Sequence, residues 1–158
     1  MRTALWGDSS GGHTMLMAAY DEARPREGGK ICGVAAFYPP TDISRMNDEP
    51  SVMDPISPDS PEGMLIGGKN VLGNPADAAR TVVMSRVARE KDIPPTLLLR
   101  GTKDRPVAYQ QSVLLYDALT GAGKDVTMYA LPGEEHGSPA FFTEWVYGIM
   151  EVFFSRVF

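Results

Sequence analysis

The sequence is poor in residues that make covalent cross-links and metal sites. Its single cysteine, Cys32, excludes an intrachain disulfide and suits a reducing compartment. Cys32 lies in the apolar stretch KICGVAAFY, where a buried thiol is usually a small inert hydrophobe rather than a nucleophile. The two histidines, His13 and His136, have no second histidine or cysteine at ligand spacing. We therefore expect no metal, no cofactor and a cytoplasmic protein.

Long apolar runs and basic clusters are also missing. No segment approaches the roughly 20 apolar residues that cross a bilayer, and no leader-like segment is visible. The net charge is −5, and lysines and arginines form no run that would attract a phosphate backbone. We expect a small-molecule partner and neither nucleic acid nor a membrane.

Short apolar stretches alternate with helical patterns along the chain. The stretches TALW, KICGVAAFY, TLLLR and DVTMYAL predict strands, and helical patterns cover 11–24, 76–91, 107–120 and 141–158. Strands that are apolar on both faces are typical of a covered parallel sheet. This order predicts a single α/β domain over 1–158, with a mainly parallel sheet of about four strands flanked by helices.

One segment has no usable periodicity. Residues 39–62 hold six prolines, and a loop of this length in a compact domain is usually a lid or a binding loop. Together with the helical pattern that follows it, this segment predicts a lid or pocket insertion over 39–92.

The stretch GDSSG fits the pattern G-x-S-x-G between a strand and a helix, which is the context of a nucleophile elbow. In such a turn Ser9 is the nucleophile and the backbone N–H of Ser10 is an oxyanion donor at the positive end of the helix. The alternatives are that Ser9 or Ser10 is a plain helix N-cap, or that Ser10 is the nucleophile. Gly7 and Gly11 bracket Ser9, which favours Ser9.

A serine nucleophile needs a base, and the base needs an orienting carboxylate. Asp104 follows the strand TLLLR and His136 follows the strand DVTMYAL, so both lie where parallel sheets carry functional residues. The alternatives are that Asp104 is an ordinary turn residue and that His136 is an exposed loop histidine. The other candidate base is His13, and the other candidate orienting groups are Glu134 and Glu135.

These motifs resemble those of the α/β-hydrolase superfamily, in particular the bacterial esterase branch related to acetyl-xylan and feruloyl esterases and to prolyl-oligopeptidase-like hydrolases. The resemblance rests on GDSSGGH, LIGG at 65–68, PPTLLLRGTKDRPVAYQQSVLLYDALTGAG, and VTMYALPGEEHG followed by FF. It implies that Ser9 is the nucleophile, Asp104 the acid and His136 the base. Arg100 stands where such enzymes often have histidine, and we expect this difference to have a modest effect.

The resemblance also implies about four strands before the elbow, one of whose loops supplies a second oxyanion donor. Since those strands have no counterpart before Arg2, we expect an open apolar edge at residues 3–6, where a homodimer can form.

The leading interpretation is a serine hydrolase that cleaves small carboxylic esters through an acyl-enzyme. The alternatives are a catalytically inactive fragment that acts as an interaction module and a prolyl-oligopeptidase-like peptidase.

Overall fold

A parallel sheet of four strands organises the molecule. The computed structural model describes residues 2–21 and 29–158. The strands are hydrogen-bonded in the order β1-β2-β3-β4, each parallel to its neighbour. Their bounds are β1 Arg2–Asp8, β2 Lys30–Phe37, β3 Thr96–Gly101 and β4 Val126–Leu131. The predicted α/β class and four-stranded parallel sheet are therefore confirmed.

Of the helices in the described residues, three correspond to the patterns predicted over 11–24, 107–120 and 141–158, with different ends. They are α1 Ser9–Ala19, α2 Pro61–Leu65, α3 Pro75–Ala79, α4 Met84–Arg89, α5 Gln110–Gly121 and α6 Glu144–Val157. Two 3-10 turns precede α2 and α6, at Ile43–Arg45 and Pro139–Phe142. The first helix begins two residues before the predicted residue 11, and its predicted end at residue 24 lies outside the described residues.

The strands alternate their side chains between two apolar layers. Val34, Ala36 and Leu98 face a layer completed by α1, α4 and α5, whereas Ala35, Phe37 and Leu97 face a layer completed by α6. This arrangement explains why β2 and β3 are apolar on both faces, since helices cover both sides of the sheet.

The segment between β2 and β3 has a small apolar cluster of its own. The cluster consists of Ile43, Ile66, Val71 and Ala78, with Ile56 packed against it. The buried amide of Gln111 in α5 holds the start of the segment, because its Oε1 accepts hydrogen bonds from the backbone N–H groups of Thr41 and Asp42, both at 2.8 Å. That 39–92 forms a lid or pocket wall remains a prediction.

The helix expected over 76–91 is two helices, and this part of the prediction is wrong. The chain turns between α3 and α4 at the β-branched run of Thr81, Val82 and Val83, which weakens a helix. The backbone groups of this turn form hydrogen bonds with residues that are distant in sequence. Val83 N–H donates to Thr41 O at 2.9 Å, and Thr81 O accepts from His13 Nε2 at 2.8 Å.

In the described residues β1 has one strand neighbour, β2, and so lies at the edge of the sheet. Of the four positions 3–6, Trp6 is the most open, with 49% of its surface exposed, and its ring packs edge-on against Phe37. A homodimer through this edge remains a prediction. No helix in residues 2–21 and 29–158 is long and apolar enough to span a membrane.

The buried imidazole of His13 makes stability depend on pH. Burial lowers the pKa of His13 below its ordinary value of 6.5, so between the two pKa values the unfolded chain binds a proton that the folded chain excludes. We expect the free energy of unfolding to fall as the pH drops below about 6.5. In His13→Gln, whose amide can still donate to Thr81, this part of the loss should vanish. Urea unfolding at a series of pH values from about 5 to 8, roughly the range of histidine titration, gives the free energy of unfolding of both proteins. The same dependence of this free energy on pH in the wild type and in His13→Gln would contradict the account.

Candidate active site

No residue separates β1 from α1, and the chain makes a strained turn where they meet. The strand ends at Asp8 and the helix begins at Ser9, whose φ is 47°. A positive φ is rare for a residue with a side chain, so this backbone is held in place by its surroundings. The turn lifts Ser9 out of the strand direction at the carboxyl edge of the sheet, as a nucleophile elbow requires.

Two glycines make this turn sterically feasible. A Cβ on Gly7 would lie 2.8 Å from the carbonyl oxygen of Gly11, and a Cβ on Gly12 would lie 3.1 Å from that of Gly7. A Cβ on Gly11 would meet nothing within 4 Å. The close approach of the two backbones therefore excludes a side chain at Gly7, whereas Gly11 contributes only its carbonyl.

Hydrogen bonds connect Ser9, His136 and Asp104, although each of these residues follows a different strand. Ser9 Oγ lies 2.9 Å from His136 Nε2, and His136 Nδ1 lies 2.7 Å from Asp104 Oδ2. An ionised carboxylate only accepts, so Nδ1–H donates to Asp104 and the neutral ring presents Nε2 to accept the Ser9 hydroxyl proton. The arrangement can move a proton from Ser9 to His136.

The loops that carry Asp104 and His136 are in contact. Lys103 N–H donates to Glu134 O at 2.9 Å, and a Cβ on Gly101 would overlap that carbonyl. Outside this contact, Arg105 pairs with Glu135 at 3.0 Å. The acid and base loops are therefore fixed relative to each other by their backbones, with an exposed ion pair beside them.

The alternative candidates have other contacts. Glu134 accepts from Ser138 Oγ at 2.6 Å, and Glu135 is the partner of Arg105. His13 is buried and bonds Thr81 O, as described above. Cys32 Sγ lies 3.3 Å from Arg2 Nε near the start of β2. This is the amino-terminal end of the strands, whereas Ser9 lies at their carboxyl end. The structure therefore brings Ser9, Asp104 and His136 together and leaves these four apart.

The oxyanion donor expected from the sequence lies in the first turn of α1. Ser10 is exposed there, and its carbonyl accepts from Thr14 Oγ1 at 3.0 Å. The carboxylate of Asp8 does not cap this helix; it accepts from the Tyr38 hydroxyl at 3.2 Å. The N-terminal N–H groups of α1 are thus not capped by Asp8, which suits a donor site for developing negative charge.

Sequence reasoning missed Tyr38, which packs against the base. Its ring centroid lies 4.6 Å from that of His136 and 4.6 Å from that of Phe141. Tyr38 has φ 39°, and it and Ser9 are the two non-glycine residues with positive φ in the described chain. Burial and the Asp8 carboxylate raise the pKa of Tyr38, so it stays a neutral donor. No pattern in FYPP indicates this role.

Sequence reasoning also underestimated Arg100. Its side chain is completely buried, and its Nη1 lies 3.4 Å from Asp104 Oδ2. Its Nη2 donates to the carbonyls of Val107 and Ala108. The modest effect expected from its position in the motif does not fit a buried charge in contact with the candidate acid.

Two cavities are found in the described residues, and Ser9 lines neither of them. One of about 410 Å³ borders Asp104, Arg105, Tyr109 and Glu135. The other, of about 910 Å³, lies at the amino-terminal ends of the strands, near Arg2 and Cys32. Within residues 2–21 and 29–158, no three His, Cys, Asp or Glu side chains are grouped as metal ligands.

The two elbow glycines give a matched pair of variants. Gly7→Ala places a Cβ against the Gly11 backbone, which cannot move away, and should lower the free energy of unfolding by about 1–3 kcal/mol. Gly11→Ala points its methyl into open space within a helix and should leave stability unchanged or raise it by up to about 1 kcal/mol. Denaturant unfolding of both variants decides the matter, and equal losses would contradict the geometry.

The fold agrees with that of known proteins. A family model named BD-FAE matches residues 1–119. A truncated form of a carbohydrate esterase from gut microbiota superposes with a TM-score of 0.82 at 25% identity, covering 97% of this chain and 58% of that one. A bifunctional GH43-CE protein of Bacteroides eggerthii superposes with a TM-score of 0.77 at 23% identity, covering 96% of this chain and 23% of that one.

A peptidase has the same fold. The acylaminoacyl peptidase of Pyrococcus horikoshii superposes with a TM-score of 0.71 at 16% identity, covering 98% of this chain and 24% of that one. The chain thus spans little more than half of the first structure and about a quarter of the other two. Among curated proteins no match is found. Because the family model matches most of the chain and the sheet agrees with these structures, the chain belongs to the BD-FAE family and has an α/β-hydrolase fold.

Proposed function

We propose that this chain is a serine hydrolase that cleaves small carboxylic esters through an acyl-enzyme. The observation that carries the proposal is the hydrogen-bonded chain from Ser9 Oγ through His136 to Asp104, at 2.9 Å and 2.7 Å. The strained backbone of Ser9 at the start of α1 supports it, since this turn exposes a serine beside helix N–H donors. Membership of the BD-FAE family supports the general class of hydrolase.

In the proposed reaction Ser9 Oγ attacks the ester carbonyl while its proton passes to His136 Nε2. Asp104 holds the imidazole with Nδ1–H toward it and stabilises the positive charge that forms. The carbonyl oxygen becomes an oxyanion next to Ser10 N–H at the start of α1. The tetrahedral intermediate then loses the alcohol, which takes its proton from His136. Water activated by the same imidazole releases the acid and restores Ser9.

The names of the similar structures supply a substrate class to test. Two of them are described as a carbohydrate esterase and as a GH43-CE protein, and on that basis we propose esters of sugar hydroxyls as substrates. The segment 39–92 would form a wall of the pocket. Its position after β2 favours this, because Tyr38 at the start of that connection already contacts His136.

A peptidase is the second candidate, favoured by the likeness to an acylaminoacyl peptidase. An amide has a poorer leaving group than an ester, so a peptidase must also bind the peptide to position His136 for protonating the amine. Turnover of a p-nitrophenyl ester without cleavage of an N-acylated peptide separates the two. Cleavage of the peptide at a comparable kcat/KM would replace the ester proposal.

Covalent labelling of Ser9 tests the nucleophile before any substrate is known. A fluorophosphonate probe reacts with an activated serine, and we expect labelling of the wild-type chain that is lost in Ser9→Ala. Ser10→Ala is the matched control, because its hydroxyl is exposed one residue away while its backbone donor remains. Folded wild-type protein that takes no label would favour the inactive-fragment alternative. Labelling lost only in Ser10→Ala would reassign the nucleophile.

The acid has its own variant. Asp104→Asn keeps the size of the side chain but removes its charge and permits the wrong imidazole tautomer. We expect kcat for a p-nitrophenyl ester to fall by on the order of 10⁴, with KM little changed. A comparable loss in Glu135→Gln, which removes the exposed partner of Arg105 instead, would show that Asp104 is not the specific acid.

A further inference from the structure

Arg100 is a buried cation at the point where β3 ends. Its side chain is fully enclosed, and the charged or titratable groups that face it are Asp104, Glu49 from the loop before α2, and Tyr109 before α5. Burial lowers the pKa of Arg100 to about 10, partly offset by the Asp104 carboxylate, so the guanidinium is charged at neutral pH. A buried charge is tolerated only when it is paired, and Asp104 is its ion-pair partner.

The guanidinium and Asp104 close a ring of contacts over the acid loop. Arg100 Nη1 lies 3.4 Å from Asp104 Oδ2, and Nη2 donates to the carbonyls of Val107 and Ala108. Val107 N–H in turn donates to Asp104 Oδ1 at 2.9 Å. Oδ1 is therefore held by a hydrogen bond from the turn. Oδ2 is held on this side by the charge of Arg100 at ion-pair distance, because Nη1 and Nε have no hydrogen-bond partner in the described residues. A lysine or a histidine cannot make this set of contacts, because only the forked guanidinium reaches the acid and both carbonyls.

The acid presents the same oxygen to the base and to the cation. His136 Nδ1 and Arg100 Nη1 approach Asp104 Oδ2, at 2.7 Å and 3.4 Å. In this enclosed site the attraction between the guanidinium and the carboxylate is stronger than in water. Without the guanidinium the carboxylate would be free to turn away from His136, so Arg100 keeps the acceptor of Nδ1–H in place.

We propose that Arg100 is a positioning residue of the site: its buried guanidinium holds the Asp104 carboxylate, and through it the imidazole of His136, where Nε2 meets Ser9 Oγ. The proposal rests on the proposed function, since it concerns the readiness of His136 to accept the Ser9 proton.

The chain has only two histidines, so the hydrogen bond between the base and the acid can be followed directly. Proton NMR detects the Nδ1–H proton of His136 in its bond to Asp104, and His13→Gln identifies the signal. In Arg100→Gln the carboxylate is no longer held by the guanidinium, and we expect this proton to exchange with water faster than in the wild type. We expect kcat for a p-nitrophenyl ester to fall more than about tenfold with KM little changed.

Arg100→Lys separates the fork from the charge. It keeps the cation and loses the fork, so kcat should fall more than about tenfold and the Nδ1–H proton should exchange faster, as in Arg100→Gln. The matched control is Tyr20→Phe, which removes a buried hydroxyl bonded to Thr96 at the other end of β3, at 2.6 Å. It should lower stability without changing kcat or the exchange of that proton.

The outcomes separate this proposal from the proposed function. A folded Arg100→Gln or Arg100→Lys variant with wild-type exchange and wild-type kcat would overturn the proposal. If Arg100→Gln does not fold, Arg100→Met and the lysine variant decide instead. The NMR measurement needs no turnover, so faster exchange in a chain that takes no fluorophosphonate supports the role of Arg100 while the esterase proposal fails.

Discussion

The Asp104 carboxylate is buried, and the arrangement of the site depends on how that charge is satisfied. An unpaired buried carboxylate would cost several kcal/mol or take up a proton. Here it accepts from Val107 N–H and His136 Nδ1 and lies against Arg100. Each partner comes from a different piece of backbone, so satisfying one charge fixes the end of β3, the turn before α5 and the loop after β4 relative to one another. The position of His136, and through it the contact with Ser9, follows from this.

The sheet order makes such a meeting possible. The order β1-β2-β3-β4 with all strands parallel puts the carboxyl ends of the strands on one edge. Ser9 follows β1, Tyr38 follows β2, Asp104 follows β3 and His136 follows β4. Every strand thus contributes one residue to the same cluster. Tyr38, which follows the inner strand β2, contributes the aromatic ring that packs against the base, and the strained φ of Tyr38 places that ring.

The sequence was sufficient to predict features that depend on local pattern. The four strands, the elbow at Ser9 and the loops of Asp104 and His136 each follow from short stretches with a recognisable physical reason. Features that depend on tertiary contacts could not be predicted. The helix expected over 76–91 is interrupted because Thr81 and Val83 bond to distant groups. Arg100 looked like a substitution in a motif, and only the fold shows that it is enclosed with Asp104. The role of Tyr38 likewise depends on a strand pairing that FYPP does not encode.

The distance along the chain between Ser9 and its partner has a consequence for folding. Ser9 and His136 are 127 residues apart in sequence but 2.9 Å apart in space. Contacts of such long range form late, because closing a large loop costs entropy before any contact compensates for it. During synthesis the elbow emerges well before the imidazole, so Ser9 has no base until His136 is made and β4 has joined the sheet. A nascent or partly folded chain would therefore carry an inert serine, and reactivity at Ser9 would report that β4 is in place.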